Sequence, residues 1–447
     1  MLVFAGVILL LFGILGQFLI NKGRMIRLMS AAVTLLMLLL CSADAVKSVF
    51  IVLLVADVIA AAAGKWTGCT AAALMEVLSG VVCVILGIPE LFQTWGILPG
   101  VLIVVIVLIE LLIAAFLTVT TLFPARIMRY VRDNLMHNGN TFDAVQEEKD
   151  LSDGIKVLSN LRYDEILPNG FLDVYYPKKS MPSMPLTVIY IHGGGYIWGD
   201  KVTGDPNGGS GELENSTVWE LVCAGYPVVS MNYTLAPEYP YPAAILQLNR
   251  GLEWLRDNGA AFGLSTQRVV LLGASAGGNL AGVLANIQTN PDYAAKMNLK
   301  SVFRSGELKA VMFEGGLMDN RRFGITHNVA FDFVFYHMGR VYLGVNELLT
   351  SRKADLSNVT DHITKNFPPS FISDGNTATF FDQASELDDL LRELGVYTEL
   401  SIFPVHQAGK LIHGFEETDS LWGKETRQKM LRFLEKISEP AAKETVQ

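Results

Sequence analysis

A serine set among glycines constrains this chain more than any other feature: Gly273-Ala274-Ser275-Ala276-Gly277-Gly278. The apolar run 268–272 before it reads as a short buried strand, and 281–287 after it reads as a helix. A chain that passes from strand to helix in so few residues must turn sharply. Such a turn forces the central residue into strained backbone, and side chains on the flanking positions would strike neighbouring elements. The serine hydroxyl is then displayed above a sheet, near the positive end of a helix. G-x-S-x-G in that context is the nucleophile-elbow pattern; the competing reading is a glycine-rich helix start that binds nothing.

The elbow lies within an alternation of strands and helices. Strands are predicted at 155–164, 171–176, 186–191, 227–231, 309–313, 370–373 and 397–403, and helices at 216–224, 243–258, 381–394 and 422–437. That order implies an α/β domain with a doubly wound, mostly parallel sheet. Residues 201–212, rich in Gly, Asp and Asn, read as a mobile loop. Residues 319–366 are an insertion between strands, rich in Phe and Tyr. They read either as a cap-like roof over an apolar pocket or as helices packed on the core.

The chain has 447 residues, and 51% are hydrophobic, too many for an ordinary soluble enzyme. The excess lies in residues 1–123, which carry five basic and five acidic side chains, so the net charge of −9 falls on 124–447. Nothing there is basic enough to suggest nucleic acid. Residues 2–20 form a span-length apolar run with no basic residue before it, unlike a signal peptide. The block 28–63 would be about 54 Å long as one helix, against a membrane core of about 30 Å. Ser42-Ala43-Asp44 and Lys47 interrupt it, which divides it into two spans. Residues 71–88 and 97–122 complete a bundle of five.

Five spans put Lys22, Arg24, Arg27, Lys65, Arg126, Arg129 and Arg132 on one side, which by the positive-inside rule makes the large domain cytoplasmic. Asp57, Glu76 and Glu110 fall inside apolar runs, with no basic partner expected in the spans. They read as part of an anchor bundle before they read as a proton or transport path. Residues 124–132 form a basic amphipathic segment expected along the anionic leaflet, and 133–152 a polar linker. Of the four cysteines only Cys223 belongs to the large domain, so no disulfide forms within it.

A hydrolytic site needs a nucleophile, a base, a group that orients the base, and donors for the oxyanion. Ser275 supplies the first. The backbone N–H of Ala276 is the expected first oxyanion donor, and those of Gly194 and Gly195, in His192-Gly193-Gly194-Gly195 at the end of a strand, complete the hole. The base is expected after the last strand, where His413-Gly414-Phe415 precedes the final helix; His406 is its competitor, and His192 is expected to stabilise its loop.

These stretches resemble those of the hormone-sensitive-lipase-like esterases, together with Asp173-Val174-Tyr175-Tyr176-Pro177 and Asn232-Tyr233-Thr234-Leu235-Ala236-Pro237-Glu238, in the same order over about 150–440. The resemblance implies an α/β-hydrolase fold and hydrolysis of carboxylic esters with no metal or organic cofactor. The multi-span N-terminus is not part of that pattern. Ala274 stands where the family usually has an acid. The family's triad acid would fall at about Ala378, where this chain has none. Asp374 is the nearest candidate, followed by Asp382 and Asp319. The readings that follow are a membrane-anchored serine esterase or lipase, an acyltransferase on the same triad, a ligand-binding or sensor protein on a hydrolase scaffold, and a transporter with a fused hydrolase. A small-molecule or lipid ester is the expected partner.

Overall fold

The computed structural model describes residues 2–19, 23–40, 44–63, 66–137, 139–178, 186–201, 213 and 216–438. The predicted loop lies outside them from residue 202 onward, as do Lys22, the interruption at 41–43 and Lys65. Two compact units divide the chain: residues 1–127 with 328–337, and 128–327 with 338–447.

The first unit holds helices Leu2–Phe18, Gly23–Leu40, Asp44–Ala63, Trp66–Trp95 and Ile97–Leu122. Cys69–Thr94 and Ile97–Leu122 are long and apolar enough to cross a membrane, and Leu2–Phe18 and Val49–Ala62 are shorter apolar helices. Gly6 and Gly80 let two of these helices meet: a Cβ on Gly6 would lie 2.7 Å from the Gly80 carbonyl oxygen. Two expectations are corrected. Glu90, beyond the end of the span predicted at 71–88, lies within helix Trp66–Trp95. Arg27, expected in a basic loop, is buried on helix Gly23–Leu40, 3.0 Å from Asp57 and hydrogen-bonded to Glu76. Asp57 and Glu76 therefore do have a basic partner inside the bundle. A guanidinium with two carboxylates is a compensated cluster, as a charge held away from water must be.

Among its described residues the second unit has nine strands: β1 Glu147–Asp150, β2 Lys156–Arg162, β3 Phe171–Tyr176, β4 Thr187–Ile191, β5 Val228–Met231, β6 Val269–Ala274, β7 Leu308–Glu314, β8 Ser370–Ser373 and β9 Thr398–Ser401. They form one sheet in the order β1-β2-β3-β5-β4-β6-β7-β8-β9. β1, β2, β3 and β5 pair antiparallel, and β5 through β9 pair parallel. The central strands are apolar on both faces because helices cover both. Val188, Tyr190, Val270 and Leu272 join Val218, Met430 and Phe433 in one core, from helices Thr217–Cys223 and Leu421–Ser438. The alternate residues, Leu271 and Phe313 among them, face the other side, where helix Ala276–Thr289 packs.

β1 lies in the stretch read as linker. Its four residues are all exposed on the sheet edge, so no hydrophobic pattern announces it. Helix Pro124–Asn134 also differs from expectation. Arg132 is buried and bonded to Glu238 at 2.6 Å and to the Ala236 carbonyl at 3.1 Å, and Arg129 lies 2.6 Å from Glu238. Two of the three arginines expected to face lipid phosphate share Glu238 as an ion-pair partner instead. The insertion 319–366 is helical, with its longest helix at Val329–Leu343.

Candidate active site

β6 ends at Ala274 and the next helix begins at Ala276, leaving Ser275 alone in the turn with φ 52° and ψ −115°. A non-glycine residue holds that conformation only where its surroundings enforce it. Here the Ser275 N–H donates to the Glu314 carbonyl at 2.7 Å, and its own carbonyl accepts from Gly278 at 3.0 Å. The flanking glycines are required by space: a Cβ on Gly277 would lie 2.0 Å from the Ile191 carbonyl oxygen, and one on Gly273 2.1 Å from that of Gly277.

His413 lies beyond β9, with Nε2 2.8 Å from Ser275 Oγ. Burial pushes its pKa down to about 4, so the ring is neutral at physiological pH. The Phe380 ring meets it edge-on at 5.5 Å. On the Nδ1 side, the Thr379 hydroxyl lies 3.0 Å away and also bonds to Asp374 Oδ1. Asp374 follows β8, is fully buried, and accepts from the Gly375 N–H at 2.7 Å. Burial pushes its carboxyl up to about 7, against the pull of these donors. The other candidates are engaged elsewhere. Asp319 binds Arg321 at 2.8 Å, Asp382 binds Arg322 at 2.5 Å, and His406 is exposed on the short helix Val405–Ala408.

The loop after β4 closes the other side of Ser275. A Cβ on Gly193 would stand 3.2 Å from Ser275 Cβ. Among the described residues, the N–H groups of Gly194, Gly195 and Ala276 donate to no protein acceptor. Free donors beside a displayed hydroxyl suit the oxygen of a tetrahedral intermediate. His192 supports this loop: Nδ1 lies 2.8 Å from the Gly193 carbonyl, and its ring stacks on Tyr233 at 4.2 Å. Tyr233 donates to the carbonyls of His192 and Gly193 at 3.0 and 3.2 Å. Burial pushes the His192 pKa down to about 4.

One group had no signal in the sequence. Glu314, Glu416 and Glu417 converge beneath the site from β7 and from the short helical turn Phe415–Glu417. Thr217 donates to Glu314 at 2.5 Å, and Ser373 to Glu416 at 3.1 Å. Burial pushes Glu314 to about 7 and Glu416 to about 8. Nothing in their local spacing marks them, because a strand end and a turn about 100 residues later in the sequence bring them together. Among the described residues, no group of three or more His, Cys, Asp or Glu is arranged to hold a metal ion.

The BD-FAE family model matches residues 172–389. The carboxylesterase NlhH of Mycobacterium tuberculosis is 28% identical over 283 residues, 58% of this chain and 77% of that protein. The ethyl acetate hydrolase of Pseudomonas putida is 33% identical over 115 residues, 25% of this chain and 33% of its own. Esterase B of Lactobacillus rhamnosis superposes with a TM-score of 0.55 at 23% identity, over 71% of this chain and 95% of its own. The mostly parallel sheet, the strand–serine–helix turn and these relatives agree: the chain is an α/β-hydrolase of the carboxylesterase type, akin to the hormone-sensitive-lipase-like esterases.

Proposed function

We propose that the protein is a membrane-anchored serine hydrolase that cleaves a hydrophobic carboxylic ester through an acyl-enzyme. The observation that carries the reading is the 2.8 Å approach of His413 Nε2 to Ser275 Oγ, at a serine held with φ 52°. Ser275 Oγ attacks the ester carbonyl carbon while its proton passes to His413 Nε2. The carbonyl oxygen, now negative, is met by the N–H groups of Gly194, Gly195 and Ala276. Such donors each contribute about 3–4 kcal/mol to the transition state. His413 returns the proton to the leaving alcohol. A water molecule then repeats the sequence and releases the acid and free Ser275. Asp374 orients His413 and offsets the charge that appears on the ring.

The two span-length helices and the shorter apolar ones support the anchor. Lys22, Arg24, Lys65 and Arg126 fall on the same side of a five-span arrangement, which favours a cytoplasmic hydrolase domain. An enzyme held at a bilayer meets esters that partition there, so the substrate class is a lipid, an acylated amphiphile or another apolar ester. S275A is expected to abolish hydrolysis of short p-nitrophenyl esters by the full-length protein in detergent. Hydrolysis that survives S275A would remove the assignment.

A further inference from the structure

Asp374 sits about four residues ahead of the place the family pattern gives its acid, and Thr379 stands between Asp374 and the imidazole. We propose that Thr379 is a positioning residue that joins the two, its hydroxyl accepting from His413 Nδ1–H and donating to Asp374 Oδ1. The proposal rests on the serine-hydrolase reading and adds to that site a member no sequence motif assigned.

Hydrogen counting sets the direction of the bonds. An ionised carboxylate only accepts, and a threonine hydroxyl has one hydrogen. That hydrogen goes to Asp374, so the Thr379 oxygen faces His413 as an acceptor, and Nδ1 must carry the ring hydrogen. Nε2 is then bare and faces the Ser275 hydroxyl at 2.8 Å, as a general base requires. When the serine proton reaches Nε2, the Nδ1–H stays in place. The carboxylate polarises the threonine oxygen, and the oxygen in turn stabilises the imidazolium. No further proton moves.

The surroundings fix this arrangement. Thr379 is fully buried, so its hydroxyl is not shared with solvent. Ala378 just before it holds φ 54°, which turns the chain back toward the strand end. The Gly375 N–H pins Asp374 Oδ1 at 2.7 Å, and Asn376 ties the loop to the carbonyls of Phe403 and Gly409, each at 2.9 Å. The hydroxyl spans the gap left by moving the acid back along the loop.

The test is steady-state hydrolysis of p-nitrophenyl butyrate by the full-length protein in detergent micelles, with T379V, T379S, D374N and the double variant D374N/T379V. Valine keeps the shape and removes the hydroxyl. T379V is expected to lower kcat about 10- to 100-fold, the loss for one hydrogen bond to a charged group, with KM unchanged. T379S, which restores a hydroxyl, is expected to recover most of that loss. If Thr379 acts through Asp374, the double variant is no slower than D374N alone. Wild-type kcat in T379V, or losses that multiply in the double variant, would overturn the proposal. Should T379V not fold, T379A takes its place, and a serine variant as slow as alanine overturns it equally. S275A separates the two levels: activity surviving S275A removes the serine reading itself, whereas a slow T379V whose activity still depends on Ser275 leaves that reading intact.

Discussion

Ser275 combines strain with service: a conformation costing of order 1–3 kcal/mol is enforced by hydrogen bonds to the end of β7 and to Gly278 in the following helix, and in return the hydroxyl faces His413. Those parts of the site were legible because their constraints are local. A strand, five residues and a helix define the elbow, and three successive glycines define the loop opposite. The acid was less legible. The sequence holds Asp374 and Thr379 five residues apart, but that Thr379 contacts both carboxylate and imidazole depends on the path of the loop. The pH dependence follows from the same residues. His413 is neutral well below neutral pH, while burial raises Asp374 to about 7. Ionised Asp374 supports the base, so kcat/KM is expected to rise between about pH 5.5 and 8.5. D374N is expected to flatten that rise and to lower kcat by about 100-fold or more. A D374N profile with the parental rise would assign the titration to another group.

The sheet and its helices follow from short apolar runs alternating with longer amphipathic ones, which is why most element positions were readable. The edge strand β1 was not, because an exposed edge has no apolar face. The acids at the ends of the elements were hidden for a different reason: Glu314 closes β7, while Glu416 lies in the turn after His413, and only the parallel sheet makes them neighbours. Both bind protons more tightly in the folded protein than in the unfolded chain. Their stabilising effect is therefore complete below the ordinary carboxylate pKa near 4, and it is lost as pH rises through about 7 and 8. E416Q mimics the protonated form. It is expected to leave stability nearly unchanged near pH 5 and to raise it by about 1–3 kcal/mol near pH 9, as read by thermal unfolding across pH. An advantage for E416Q that shrinks with rising pH would contradict the sign.

At the scale of the molecule, an apolar helical unit accompanies a catalytic one, and the sequence signalled the division by charge: ten charged side chains in the first 123 residues and the whole net charge beyond. The helices were legible from hydropathy. The pairing of Arg27 with Asp57 and Glu76 was not, since Arg27 near the start of an apolar run reads as a loop residue until the helix is seen to begin at Gly23. R27L leaves both acids buried without their partner, and is expected to cost about 3–5 kcal/mol, seen as a lower Tm in detergent. An unchanged Tm would mean the cluster contributes nothing to the bundle. The proposed function depends first on the displayed serine being an activated nucleophile. Its most direct test is labelling of the full-length protein with a fluorophosphonate, followed by peptide mass spectrometry. One adduct is expected, on Ser275, and it disappears when His413 is replaced by alanine. A folded wild-type protein that takes no label there would contradict it.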